Sequence, residues 1–202
     1  EWGKYADVSL IQFVARNFYS KDRNNIKILE IGCGPGANIW YLDREGFDAY
    51  GIDGSETAIN KAKKRIPKAH LHVGDITNLK YDDNFFDAVV DVECLYSNNL
   101  NNSRIILKQI SRVLKKTGLF YSRTFSDEMF IGNSPTDPNK FEYFKIDEGP
   151  LKNKGFVRLI DKKGIKNIYG LDFNVISIDK LEYTQFNSME KISEWIIISE
   201  KK

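Results

Sequence analysis

Apolar positions along the chain fall into two alternating rhythms. Leu10, Ile11, Val14 and Phe18 recur at helical spacing behind Asp7, a residue type that caps helix starts. After the polar stretch Ser20 to Asn25, the compact run Ile28-Leu29-Glu30-Ile31 reads as a buried strand, and a helical pattern from Ile39 through Leu42 closes at Gly46. Asp48 to Asp53 predicts a second strand, Glu56 to Arg65 a helix stopped by Pro67, His70 to Val73 a third strand and Asn84 to Val92 a fourth. From Ser103 a helix with Ile106, Ile110, Val113 and Leu114 inward is expected to end at the basic, glycine-closed turn Lys115-Lys116-Thr117-Gly118, ahead of a fifth strand Leu119 to Phe125. Strands alternating with helices in this way predict an α/β fold built on a parallel sheet.

The rhythm breaks from Ser126 to Asn153, where Pro135, Pro138, Gly149 and Pro150 sit among many aromatics. Such a length inside a compact domain predicts a functional cover over a site. Beyond it, Gly155 to Ile160 reads as extended, Lys162 to Tyr169 as helix, and Asn174 to Gln185 and Ser193 to Ser199 as two last strands that a turn over Phe186 to Lys191 folds into a hairpin.

The densest chemical signal lies between the first strand and its helix, in Gly32-Cys33-Gly34-Pro35-Gly36-Ala37. Glycines at alternate positions permit a tight turn, let a ligand approach bare backbone, and aim the first amides of the next helix at an anion. Gly32-x-Gly34-x-x-Ala37 satisfies the dinucleotide fingerprint, so a nicotinamide enzyme is one reading. Asp53, about 20 residues on, sits where a carboxylate meets ribose hydroxyls; the alternative is an Asp in the turn before the next helix, although Ser55 already offers that cap.

Composition narrows the partners. The 202 residues suffice for one sizeable core, which predicts a single domain over 1–202 with an N-terminal helix and lid at 1–20 and a cover insertion at 126–153. Thirty basic against 28 acidic residues leave a net charge of +2, giving no electrostatic case for nucleic acid or anionic membrane. No apolar run reaches the roughly 18 residues of a membrane span, and two cysteines, Cys33 and Cys94, exclude a disulfide scaffold, so a cytoplasmic protein with reduced thiols is expected.

Glu30, two residues before the first glycine, makes the sequence Glu30-x-Gly32-x-Gly34-x-Gly36, which resembles the first motif of class I S-adenosylmethionine-dependent methyltransferases, of the small-molecule kind described as methyltransferase type 11/12. Arg112-Val113-Leu114-Lys115-x-x-Gly118 before a strand is similar to the approach to the fifth strand in that family. The resemblance implies a Rossmann-like doubly wound sheet of seven strands, mostly parallel with an antiparallel C-terminal hairpin, and helices on both faces. It also implies S-adenosylmethionine as cofactor and S-adenosylhomocysteine as product. Glu30, Gly32, Cys33, Gly34, Gly36, Asp53, Gly54, Ser55, Gly74, Asp75 and Ile76 would bind the cofactor, Asp53 through the ribose, Asp75 by accepting the adenine amino group unless it merely forms a turn, and Ile76 beside the ring. Trp2 and Tyr5 are either a lid over the cofactor or anchors for the terminus.

Ligands of open α/β sheets lie beyond the carboxyl ends of the strands, so the residues after Val92 face the reacting methyl group. Glu93, Tyr96, Tyr121 and Arg123 are the catalytic candidates; Glu93 serves as a base or holds the cofactor ammonium through its carbonyl, and Arg123 grips an anionic acceptor or pairs with a carboxylate. Asp91-Val92-Glu93-Cys94 fits neither the Asp-Pro-Pro-Tyr-like turn of amino-methylating nucleic-acid enzymes nor the Pro-Cys nucleophile of cytosine-carbon enzymes, and no metal is expected. The acceptor expected is a small polar molecule, a sugar or acid of surface-glycan biosynthesis among the options, and the oligomeric state stays open. A nicotinamide reductase is the competing enzyme class, although none of the ten tyrosines begins the Tyr-x-x-x-Lys of its short-chain members; a non-catalytic cofactor-binding partner protein is the third reading.

Overall fold

The computed structural model describes residues 5–134 and 141–202. Helix α1 (Val8–Phe18) starts where Asp7 accepts the Leu10 amide, and buries Leu10, Phe13, Val14 and Phe18. Strands β1 (Lys27–Ile31), β2 (Asp48–Asp53) and β3 (His70–Val73) alternate with α2 (Ala37–Arg44) and α3 (Glu56–Arg65). They are followed by β4 (Phe86–Val92), α4 (Leu100–Val113) and β5 (Leu114–Phe125), a short β6 (Glu142–Tyr143) and β7 (Val157–Arg158), α5 (Lys162–Tyr169), and the long pair β8 (Phe173–Gln185) and β9 (Glu190–Lys201).

Seven strands form one sheet in the order β3-β2-β1-β4-β5-β9-β8, parallel through β5 and antiparallel at β9 and β8. The chain winds outward from β1 to β3 and returns on the other side of β1 at β4, so the crevice between those two strands is the switch point where such sheets take ligands. Strands buried on both faces explain the near-continuous apolar runs in β1 and β4. One face packs on α1, α2 and α3 through Leu10, Phe13, Ile39, Leu42 and Ile59. The other packs on α4 and α5 through Ile106, Ile110, Ile165 and Ile168.

One expected boundary shifts. The α4 helix ends at Val113, and the basic turn belongs to β5: Leu114 is fully buried, takes an extended conformation and pairs with Phe86. Burial and strand pairing of Leu114 outweigh the local helix-stop signal at Gly118. The expected cover after β5 packs as a third apolar cluster, Tyr96, Phe125, Met129, Tyr143, Ile146 and Leu159 among it, with β6 paired to β7; its residues 135–140 lie outside the described residues, as does Trp2. Among the described residues no helix is long and apolar enough to cross a membrane.

Candidate active site

The three glycines after β1 all adopt positive φ, and each has a different reason to lack a side chain. A Cβ on Gly32 would come 2.4 Å from Cys94 Sγ, so this glycine lets the loops after β1 and β4 touch across the switch point. A Cβ on Gly36 would come 2.8 Å from Ile66 Cδ1 and 3.1 Å from Ala62 Cβ, so it lets α2 start against α3. At Gly34 a Cβ would meet nothing within 4 Å. Gly34 therefore presents bare backbone to open space, which is the surface a cofactor needs.

Acidic groups flank that backbone. Asp53, at the end of β2, accepts the Gly34 amide on Oδ2 at 2.9 Å and the Ser55 amide on Oδ1 at 2.8 Å, while Ser55 caps α3. Gly32, Asp53, Gly54, Gly74, Asp75 and Ile76, together with Val73, Cys94 and Ser97, line a cleft of about 540 Å³. Asp75 is exposed and accepts the Thr77 amide at 2.8 Å, which holds its carboxyl below the usual carboxylate range. The turn-forming alternative for Asp75 is thus present, in a residue that also lines the cleft. Glu30 is buried; its Oε1 accepts Asn38 Nδ2 at 2.6 Å and its Oε2 has no partner among the described residues. Burial raises its pKa to about 8, against the pull of Asn38. A buried carboxylate oxygen without a donor beside an open glycine turn fits a ligand that carries a cationic group. These residues fit a nucleoside with an amino-acid tail.

The catalytic candidates separate. Glu93 follows β4 in the left-handed region, φ 56°, with its amide bonded to the Arg123 carbonyl at 2.9 Å. Its carboxyl is raised to about 7, by burial first and by Glu194 second, while Arg123 opposes both. Tyr96 is buried under the cover against Phe125, ring centroids 4.8 Å apart, and its pKa is raised by burial and then by Glu93. Tyr121 is a correction: it is fully buried beneath α1, its ring tilted against Phe13 with centroids 5.0 Å apart and its hydroxyl 2.7 Å from Ser9 Oγ. Packing places it in the core, so no acceptor reaches it.

Arg123 also differs from one of its two expected roles. Its guanidinium bonds Asp7, donates to Glu194 at 3.0 and 2.5 Å, and stands 3.5 Å from Glu93. Three carboxylates occupy it, which leaves no fork for an anionic acceptor. Tyr5 is 85% exposed and does not close over the cleft. Asp7 is more than a helix cap, and Asn38 and Glu194, which belong to no motif, join the site: Asn38 Oδ1 accepts the Asp7 amide at 2.9 Å while its Nδ2 donates to Glu30, tying α1 to the glycine turn. Among the described residues no group of three His, Cys, Asp or Glu side chains is arranged to hold a metal ion.

Comparison with known proteins agrees with this geometry. Residues 29–122 match the family described as "Methyltransferase domain". The chain is 31% identical over 211 residues to a ubiquinone biosynthesis O-methyltransferase of Pelagibacter ubique, covering 96% of this chain and 84% of that protein. It is 35% identical over 103 residues to a phthiotriol/phenolphthiotriol dimycocerosates methyltransferase of Mycobacterium tuberculosis, covering 49% of this chain and spanning only 37% of that protein's length. A solved S-adenosylmethionine-dependent methyltransferase from Methanosarcina mazei, 20% identical, superimposes over 98% of each chain with a TM-score of 0.77 and shares the fold. With the acidic residue before the glycine turn, the open backbone at Gly34 and the switch-point cleft in place, the chain belongs to the class I S-adenosylmethionine-dependent methyltransferases.

Proposed function

We propose that this methyltransferase modifies an oxygen nucleophile on a small polar acceptor, a sugar or an acidic metabolite, with Glu93 as general base. The observation that carries the reading is Glu93 itself: a carboxyl poised near neutrality at the end of β4, where the sheet delivers ligands, and held in a backbone conformation that a non-glycine residue rarely adopts. An oxygen acceptor has a proton to lose, and a base near pH 7 removes it efficiently. Similarity to an O-methyltransferase over nearly the whole chain supports oxygen as the acceptor atom.

S-adenosylmethionine, when bound, supplies a methyl group on a sulfonium for in-line displacement. The chain's own residues bind and orient. The Gly32–Gly36 backbone would accept the tail, Asp53 the ribose hydroxyls, Asp75 and Ile76 the adenine, and the orphaned Glu30 oxygen with the Glu93 carbonyl the ammonium. The aromatic cover around Tyr96, Phe125 and Tyr143 would keep water from the acceptor. Product analysis for S-adenosylhomocysteine over a panel of hydroxylated sugars and hydroxy acids tests the reading. Turnover is expected to rise with pH through about 7, and Glu93→Gln to lose roughly 10²–10⁴-fold in rate while keeping its affinity for S-adenosylhomocysteine. Full activity in Glu93→Gln would remove the base assigned here.

A further inference from the structure

A second cavity, about 730 Å³, opens where the first turns of α4 and α5 meet the β6–β7 pair, and Leu100, Arg104, Glu142, Arg158, Lys163 and Asn167 are among its walls. Arg158 is only 6% exposed. Its Nε donates to the Asn98 carbonyl at 3.1 Å and its Nη2 to Ser103 Oγ at 2.9 Å, both neutral acceptors, while Nη1 donates to no described residue. Among the described residues no carboxylate comes within ion-pair distance of this guanidinium; burial lowers its pKa, outweighing Glu142 and Asp91, which act on it only through their fields. Arginine keeps its charge in a protein, and a buried charge without a counter-ion is strongly unfavourable unless something anionic completes it.

The acids nearby are already engaged. Glu142 Oε1 accepts the Leu100 amide at 3.1 Å, and Asp161 Oδ1 caps α5 through the Gly164 amide at 2.6 Å. Arg104 and Lys163 are exposed at the rim, and neither forms an ion pair among the described residues. Two helix starts line the same space, and each contributes partial positive charge there. Asn98 and Asn99 sit directly after Ser97, which lines the cofactor cleft, so one short loop borders both spaces.

We propose that this cavity receives a carboxylate or phosphate, gripped by the free edge of Arg158, and that this anion is the end of the acceptor remote from the reacting oxygen. The identity of the ligand as acceptor rests on the function proposed above; the anion site stands on Arg158 and its cavity. The test is an amide and arginine-side-chain NMR titration of the whole chain with benzoate, phenyl phosphate and uncharged benzamide. S-adenosylhomocysteine affinity is measured on the same samples. Benzoate or phenyl phosphate is expected to shift the Arg158 Nε–H signal and the amides of Asn101 and Lys163, with benzamide inert. Because Arg158→Lys can fail to fold, the rim variant Arg104→Gln with Lys163→Gln is the second arm. It is expected to weaken anion binding by about three- to tenfold with S-adenosylhomocysteine affinity unchanged. Absence of these shifts, equal shifts with benzamide, or an unaffected rim variant would overturn the site. Anion binding in a protein that fails to bind S-adenosylhomocysteine would keep the site and overturn its link to methyl transfer.

Discussion

Asp53 accepts the Gly34 amide at 2.9 Å, so the carboxylate at the end of β2 holds the middle of the glycine turn from the adjacent strand. The same side chain lines the cleft and has lone pairs beyond those taken by Gly34 and Ser55. It fixes the turn, and under the function proposed above it would also offer a charged acceptor to the ribose. Asp53→Ala is expected to weaken S-adenosylhomocysteine binding by roughly 1–3 kcal/mol through loss of charge-assisted hydrogen bonds. Isothermal titration calorimetry checks this, and an unchanged affinity would take the ribose role from Asp53.

The glycines of the turn should fail in different ways. Gly34→Val puts a side chain into open space at φ 51°, so the fold should lose only about 1–2 kcal/mol while cofactor binding disappears. Gly32→Ala drives a Cβ into Cys94 and should cost the fold roughly 2–4 kcal/mol before any ligand is considered. Cys94→Gly removes both colliding atoms and leaves Cα at 3.8 Å, so the double variant should recover part of that loss. A urea-unfolding double-mutant cycle measures the coupling; strictly additive losses would mean the two loops do not press on one another.

Much of this was legible from the chain because local and global preferences agree there. Apolar periodicity located β1, β2 and α5, Asp7 and Ser55 cap the helices they precede, and the glycine turn stands at the switch point. What could not be read depends on contacts between distant residues. Tyr121 and Arg123 were placed at the right strand end, but only packing reveals that α1 covers one and that Asp7 and Glu194 occupy the other. A helix cap and an ion-pair partner look the same in sequence, and Asp7 is both.

Among the described residues Arg123 is the one cation paired with Asp7, Glu93 and Glu194, with only 12% of its side chain exposed. Arg123→Met leaves three carboxylates facing each other and should destabilise the fold by roughly 3–5 kcal/mol. The sign with pH follows from Glu93. Its folded pKa already lies above the ordinary 4.5, at about 7, and losing Arg123 removes an interaction that lowers it. The unfolded chain is common to both proteins, so the variant's deficit should grow as the pH rises above about 7 and settle to a constant, smaller value below it, where Glu93 is protonated in both folds. Denaturant midpoints across that window decide it; a deficit independent of pH would assign the loss to packing alone.

Glu30 should make the cofactor-free protein less stable as the pH rises. Its folded pKa of about 8 exceeds the ordinary 4.5, so between those values the folded state binds more protons than the unfolded chain. Stability linked to Glu30 is therefore complete below 4.5 and is lost on the way up to about 8. Glu30→Gln keeps an oxygen for Asn38 and removes the buried charge, and should stabilise the cofactor-free fold by roughly 2–4 kcal/mol above pH 8 with little effect near 4.5. The same variant should bind S-adenosylhomocysteine more weakly, because an amide nitrogen replaces the unpaired oxygen that would meet the ligand's ammonium. Thermal unfolding with and without S-adenosylhomocysteine reads both effects at once. A Glu30→Gln protein that is no more stable at high pH, or that gains as much from the ligand as the parent does, would show that the buried carboxylate is held for the fold and not for the cofactor.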